Sequence, residues 1–267
     1  MSLTLSVSVR PARVFTVLGV VIAFLVLLSV AGQYSRFFLG HGRLLGFVEA
    51  FNVDAEANIP TYFSSLLLLG AAVLAGIIAS AARRRGAAFV NHWRMLAVIL
   101  AYVSLDEFAS LHENLISPLR TLLGADGLFF YAWVIPALGI LLLLGVVYAR
   151  FFWHLSPRSK VLFAGAALVY VGGGLGVEMI GGLYASQYGV ATFNYALITT
   201  VEEALEMVGL AILIYALLDY LTMQAGEGRV VLRDEPFIGE RVPPSVSAQN
   251  SSYRRPLGVG DEGSSQG

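Results

Sequence analysis

The stretch Tyr195–Met223, which reads YALITTVEEALEMVGLAILIYALLDYLTM, decides the fold. A helix needs about 20 mostly apolar residues to cross a bilayer, and this stretch exceeds that length. It also carries Glu202, Glu203 and Glu206. Because an acidic side chain at the bilayer centre costs about 2.5–3.5 kcal/mol on insertion scales, these three must face other protein segments. The stretch therefore predicts one membrane helix of a larger bundle.

Five further apolar stretches have the length of a membrane span. They are Val14–Gly32, Pro60–Ala82, Met95–Leu111, Leu128–Phe151 and Val161–Tyr184. Of these, Met95–Leu111 is interrupted by two acids, Asp106 and Glu107. We therefore predict an all-α, polytopic bundle of six transmembrane helices covering residues 14–225.

The first stretch has a second interpretation as a cleaved secretory signal. Arg10 and Arg13 precede it, and Ser29-Val30-Ala31 has the small residues of a cleavage site. Its apolar run is longer than the usual signal core of about 7–15 residues. This length favours a retained helix.

The basic residues of the loops predict the orientation, because cytoplasmic loops are enriched in arginine and lysine. One set of alternate segments carries Arg10, Arg13, Arg83, Arg84, Arg85, Arg94, Arg150, Arg158 and Lys160. The opposite set carries only Arg36, Arg43 and Arg120. We therefore expect both termini in the cytoplasm, in a protein of the cell membrane of the bacterial inner-membrane type.

Three segments outside the spans have their own character. Residues 1–13 are predicted to be a cytoplasmic N-terminus. Residues 33–59 form a long outer loop, in which Leu44–Phe51 is expected to lie as a helix on the membrane interface. Residues 226–267 are rich in Gly, Ser and Pro, which predicts a disordered cytoplasmic tail and a candidate binding segment for a cytoplasmic partner.

The composition excludes several classes of site. The chain is 57% hydrophobic and 13% charged, where a soluble domain is about 25% charged, so the lipid bilayer is its expected partner. It contains no cysteine, which excludes disulfides, thiolate metal sites and a cysteine nucleophile. The extramembrane segments have no basic face with interleaved aromatic residues, so we expect no nucleic-acid binding.

The acids fall in the outer half of the predicted bundle. With a helix rise of about 1.5 Å per residue, Asp106 and Glu107 lie roughly 18–20 Å above the cytoplasmic end of their helix. The acids of the last helix lie at a similar depth, on one face. We predict a metal or proton site at Asp106, Glu107, Glu202, Glu203 and Glu206, with Glu56, Glu113 and Glu178 nearer its mouth.

His112 is a further candidate ligand. On an unbroken helix it points away from the acidic face, whereas a helix that ends early at Pro118 frees it to turn inward. The acids are too numerous for complete pairing with Arg36, Arg43 and Arg120. Some of them are therefore expected to hold protons or a cation.

The residue types indicate which ion fits. Carboxylates with little imidazole and no sulfur favour a divalent metal ion such as Ca²⁺, Mg²⁺ or Mn²⁺. Zinc and iron fit less well, because a three-histidine set and Glu-x-x-His pairs are lacking. Asp54, Glu56 and Asn58 have two interpretations, as oxygen ligands at the mouth or, for Asn58 with Thr61, as a helix cap.

Other features have structural interpretations. The glycines of Gly172–Gly176 predict a close approach between helices, which would bring Glu178 against a neighbour. Trp133 and Tyr195 are attributed to an aromatic belt at the membrane interface. Ser64 and Ser65 are expected to hydrogen-bond across helices.

Three functions remain open at this level. The first is binding or transport, in which the acids bind a divalent cation or exchange protons. The second is an enzyme, a metal-dependent intramembrane hydrolase acting on a lipid or lipid-linked substrate. The third is a membrane scaffold, in which the acids only specify helix packing. Transport predicts a cavity that continues toward the cytoplasm, an enzyme predicts a lateral opening and an organised metal, and a scaffold predicts arginines among the acids.

Overall fold

The structure is a computed structural model that describes residues 4–7, 10–225 and 230–233. Its helices are α1 (Pro11–Phe38), α2 (Phe47–Phe51), α3 (Ile59–Arg84), α4 (Val90–Ala109), α5 (Glu113–Leu123), α6 (Val134–His154), α7 (Pro157–Val171), α8 (Glu178–Tyr188) and α9 (Phe193–Ala225). Short 3-10 turns cover Leu44–Gly46 and Gly127–Phe129, and a π-helical segment covers Gly172–Val177. Two strands, β1 (Thr4–Val7) and β2 (Val230–Arg233), form a two-stranded sheet. The predicted all-α class is confirmed for the helical region, whereas the predicted tail, apart from β2, lies outside the described residues.

Five helical segments are long and apolar enough to cross a membrane. They are α1, α3, α6, the continuous unit Pro157–Tyr188 and α9. A sixth is obtained when α4 and α5, which are bent by 88° at their junction, are taken as one broken span. These segments define the chain as a helical membrane protein.

The junction between α4 and α5 is held by Asp106. Ser110 adopts a left-handed conformation with a φ of 50°, which ends α4. The amide of His112 donates to Asp106 Oδ1 at 3.0 Å, and His112 Nδ1 lies 2.9 Å from Asp106 Oδ2. His112 therefore turns inward as expected, but the break lies at Ser110, because Pro118 is accommodated inside α5.

Helix α9 is the centre of the bundle and contacts α1, α3, α7 and α8. Its contact with α7 depends on Gly209, where an added Cβ would lie 2.6 Å from the Tyr170 backbone nitrogen. At Gly173 an added Cβ would lie 2.9 Å from the Glu202 carbonyl oxygen. The predicted close approach at the glycine run is thus confirmed, and α9 is the neighbour.

Helix α3 packs on α4 and α9 through small residues. Ala71, Ala75 and Ala79 recur every four residues and are almost completely buried. Ser65 Oγ donates to the Ser104 carbonyl at 2.9 Å, and Ser104 Oγ donates to the Ser65 carbonyl at 2.8 Å. The expected hydrogen bonding across helices is confirmed for Ser65.

Helix α6 is attached mainly at its two ends. At one end the Trp133 ring packs at a tilt against the His112 ring, with ring centroids 4.6 Å apart. At the other end Tyr148 donates to the His92 carbonyl at 3.0 Å, and Phe151 packs on Trp93 at 4.9 Å. The middle of α6 spans the space between these anchors.

Asp219, near the C-terminal end of α9, forms an ion pair. Asp219 is buried, and its two carboxylate oxygens accept from Arg158 Nε at 2.9 Å and Nη2 at 2.8 Å. This bidentate geometry ties the beginning of α7 to α9. Asp219 therefore has a structural partner outside the region of the other acids.

Candidate functional site

A cavity of about 880 Å³ lies among α4, α6, α7 and α9. The carboxyl groups that line it, called here the acidic lining, are Asp54, Glu56, Asp106, Glu107, Glu113, Glu178, Glu202, Glu203 and Glu206. His112 lines it as well. The structure therefore places every site residue predicted from the sequence on one cavity.

Two acids of the lining meet between α8 and α9. Glu178 and Glu202 lie within hydrogen-bonding reach of each other. The indole Nε1 of Trp133 donates to Glu178 Oε1 at 3.1 Å. Glu178, predicted to lie nearer the mouth, thus contacts an acid of the inner group directly.

The two other acids of α9 differ in their surroundings. Glu206 lies against Gly174, where an added Cβ would be 2.6 Å from Glu206 Oε1, and it is within hydrogen-bonding reach of Tyr170. Glu203 is partly buried and lines the cavity. No hydrogen bond or ion pair reaches Glu203 from the described part of the chain. Its carboxyl group is therefore open to a ligand.

Asp106 has a different role from its neighbour Glu107. Both of its oxygens are engaged by His112 across the α4–α5 junction. Glu107 lines the cavity near Glu56 and Glu206. We therefore interpret Asp106 and His112 as a pair that shapes the cavity mouth, with Glu107 facing the interior.

The segment before α3 contributes Asp54 and Glu56 to the cavity wall. Asn58 Oδ1 accepts from the Thr61 amide at 3.1 Å, and its Nδ2 donates to the carbonyls of Asn52 and Ala55, each at 2.6 Å. Asn58 is thus a helix cap rather than a ligand. Burial raises the pKa of Glu56, and burial raises the pKa of Asp54 to about 6.

A pH dependence follows from Asp54. Burial, reinforced by Glu113 and Glu178 and opposed by Thr199 and Arg36, raises its pKa from 3.8 to about 6. The folded state then binds this proton more tightly than the unfolded state, so the stabilisation is present below about pH 4 and is lost as the pH rises to about 6. We expect the thermal midpoint of the wild type to fall relative to that of Asp54→Asn over this interval, measured in detergent.

The matched control is Glu49→Gln, at an exposed carboxylate paired only with exposed Arg43. The difference between wild type and this variant is expected to stay flat over the same interval. A flat difference for Asp54→Asn as well would contradict the assignment of a raised pKa to Asp54.

The predicted metal-binding arrangement is not supported. In residues 10–225, no group of three or more histidine and acidic side chains is placed to hold a metal ion. The acids are distributed as pairs and single groups along the cavity wall. The physical reason is that they come from five separate segments, and Asp106 is already held by His112.

The arginines that were candidates for neutralising the acids lie elsewhere. Arg43 pairs with Glu49 at 3.4 Å on the surface, and Arg120 lies over the Phe130 ring at 4.3 Å. Arg36 is exposed. Among the described residues, no lysine or arginine lines the cavity.

Sequence reasoning missed the polar partners of the acids. Trp133 and Tyr170 hold Glu178 and Glu206, and Thr199 lies within hydrogen-bonding reach of Asp54. The sequence pattern alone assigns Trp133 to an aromatic belt at the membrane interface. The sequence gives one signal for Thr199, which is its position one helical turn before Glu203 on the same face of α9.

These features define a class: a helical membrane protein with a carboxylate-lined cavity among its spans. Residues 12–221 match the family described as a domain of unknown function, DUF8692, and the chain belongs to that family. The match covers all of the helical bundle that forms the cavity. Neither a curated protein nor a solved structure matches the chain.

Proposed function

We propose that this protein exchanges protons for a cation at the acidic lining, in a transport role across the cell membrane. The observation that carries the proposal is the contact between Glu178 and Glu202. Two carboxyl groups within hydrogen-bonding reach of each other need a shared proton or a bridging cation, because two ionised carboxylates would repel each other there. The lack of lysine and arginine on the described cavity wall supports the same conclusion.

A proton fits this site better than a divalent metal ion. Ca²⁺, Mg²⁺ and Mn²⁺ need about six oxygen ligands around one point, and zinc needs four. The carboxyl groups of the described bundle are not gathered in this way. A proton needs only one or two oxygens, which a pair such as Glu178 and Glu202 supplies.

The proposed topology has six spans, with α4 and α5 forming one broken span and both termini in the cytoplasm. The arginine distribution supports this orientation, since the loops rich in arginine would then lie inside. The acidic lining would open to the outer side. The cavity would extend toward the cytoplasm as far as Phe152 and Leu155, which line its opposite end.

Infrared spectroscopy of the purified protein in nanodiscs tests proton binding. Exposed aspartates and glutamates have pKa values of about 4 and are ionised at pH 7, so a protonated carboxyl band at that pH reports enclosed acids. We expect this band in the wild type and a smaller one in Glu202→Gln and Glu203→Gln. Glu49→Gln, at an exposed acid, is expected to leave the band unchanged.

Two outcomes would overturn the proposal. One is the absence of a protonated carboxyl band at pH 7 in the wild type. The other is a divalent metal that copurifies at about one ion per chain and is lost in Glu203→Gln. The second outcome would support metal binding in place of proton exchange.

One observation favours the hydrolase as a second candidate. Tyr102 and Ile140 line the cavity and are each 59% exposed on the bundle surface, which is the lateral opening an intramembrane enzyme needs. The hydrolase also needs an organised metal, which the described acids do not provide. The scaffold is disfavoured because no lysine or arginine of the described chain lines the cavity.

A further inference from the structure

The cavity has two chemically different halves. The acidic lining occupies the half near the α4–α5 junction. The other half is lined by apolar and aromatic side chains, including Trp93, Leu96, Phe151 and Phe163. Because Glu107 and Trp93 are 14 residues apart on α4, the two halves together extend about 20 Å along the helix.

The apolar half does not suit a small hydrated ion. Its walls offer few polar groups along this length, so an ion that left the acids toward this side would lose its water without replacement ligands. The inner acid Asp219 is paired with Arg158 and does not line the cavity. An apolar tail would instead remove this surface from water or fill it in place of lipid.

The cavity opens sideways between α4 and α6. Tyr102 on α4 and Ile140 on α6 both line it while remaining exposed on the bundle surface. Helix α6 is anchored at Trp133 and at Tyr148 and Phe151, which leaves its middle free of close contacts with α4. A molecule dissolved in the bilayer can therefore reach the cavity without passing through water.

The acidic half requires a positively charged group. Glu203 is partly buried, lines the cavity and has no hydrogen-bond partner in the described bundle. His112, the basic side chain on the wall, is occupied by Asp106. A protonated amine would supply both the charge and the hydrogen-bond donors that these carboxylates lack.

We propose that the ligand of this cavity is an amphiphilic organic cation, a protonated amine on a hydrocarbon tail. It enters between α4 and α6 from the bilayer. The amine lies against Glu203 and its neighbours, and the tail lies against Trp93 and Phe151. This inference rests on the proposed proton exchange, because the amine displaces the protons held by the same acids.

Binding of tetradecylamine to the protein in phosphatidylcholine nanodiscs tests the inference, with empty nanodiscs as the background. We expect saturable binding at one site per chain, at least 10-fold tighter than that of butylamine, which lacks the tail. Tetradecanoate, which has an anionic head, is expected not to bind. Binding is also expected to release protons into weakly buffered solution and to weaken at least 10-fold in Glu203→Gln.

A pair of α6 variants tests the route and the tail site. Ile140→Trp places a large side chain in the opening, whereas Leu142→Trp places the same group on a surface that is 73% exposed and outside the cavity lining. We expect Ile140→Trp to weaken tetradecylamine binding at least 10-fold and Leu142→Trp to bind like the wild type. Both variants are expected to keep the protonated carboxyl band at pH 7.

The outcomes separate this inference from the proposed function. If tetradecanoate or butylamine bound as tightly as tetradecylamine, or if the two tryptophan variants had equal effects, the proposal of an amphiphilic cation would be wrong. Proton exchange would still stand in that case, provided that the protonated carboxyl band is intact. Loss of the carboxyl band in the wild type would overturn both.

Discussion

Gly209→Ala is expected to destabilise the helical bundle more than any other single methyl addition on α9. The added Cβ would lie 2.6 Å from the Tyr170 backbone nitrogen and 2.7 Å from its Cα and Cβ. The obstructing atoms are mostly backbone, so α7 as a whole must move away from α9. Overpacking of this kind costs about 1–3 kcal/mol, and the rigid neighbour places this site at the upper end.

The measurement is the thermal midpoint of the purified protein in detergent, together with the fraction recovered as a single species by size-exclusion chromatography. Gly165→Ala on α7 and Gly76→Ala on α3 are the controls, because an added Cβ meets nothing within 4 Å at either site. Both controls are expected to match or exceed the wild-type midpoint, since alanine favours helix more than glycine. A midpoint for Gly209→Ala equal to that of Gly165→Ala would contradict the close approach of α7 and α9.

The second large effect is an asymmetry within the pair Arg158 and Asp219. Arg158→Ala is expected to lower the thermal midpoint strongly, because it leaves the buried Asp219 carboxylate without its two donors. Asp219→Asn is expected to have a smaller effect, because it removes the buried charge and leaves Arg158 at the exposed side of the pair. The order of the two midpoints is the result to be measured.

Arg150→Ala is the control for the loss of one arginine near the same end of the bundle, since Arg150 is exposed. Its midpoint is expected to equal that of the wild type. If Asp219→Asn were the more destabilising of the pair, Asp219 would have a role beyond accepting from Arg158. Asp219 would then be a candidate for a proton relay at the inner end of the bundle.

Both contacts matter for the site because they fix α7 against α9. The α7–π–α8 unit continues from Tyr170 through Gly173 and Gly174 to Glu178. Across the interface, Gly209 lies against Tyr170 and Gly173 lies against the Glu202 backbone. These two close contacts place Glu178 beside Glu202. A π-helical turn at such a point is common at functional sites, since it changes the direction of the side chains that follow.

Hydropathy and charge were sufficient to predict the helical bundle. The predicted stretch Tyr195–Met223 lies within α9, and Pro60–Ala82 lies within α3. This succeeds because the apolar run required by a bilayer is long and leaves a strong signal. The limits predicted for these two stretches are one to two residues short at each end, since helices continue past the apolar core into the interface.

The composition of the site was also predictable, but its arrangement was not. Depth alone placed Glu107 and Glu203 at a similar level and Glu178 nearer the mouth, because helix rise is constant. Depth does not state which acids touch, which one is held by histidine, or whether three of them surround one point. The expected metal-binding arrangement failed on that last question.

The sequence by itself determined that this chain is a helical membrane protein whose acids must avoid lipid, because the cost of exposing a carboxylate to hydrocarbon depends only on residue type and depth. Only the tertiary structure decided that Glu178 meets Glu202, that Asp106 is held by His112, and that Glu203 lines the cavity with no partner among the described residues. These facts depend on Ser110 ending α4 and on glycines letting α7 approach α9. Such contacts join residues that are distant in sequence, so no local pattern specifies them.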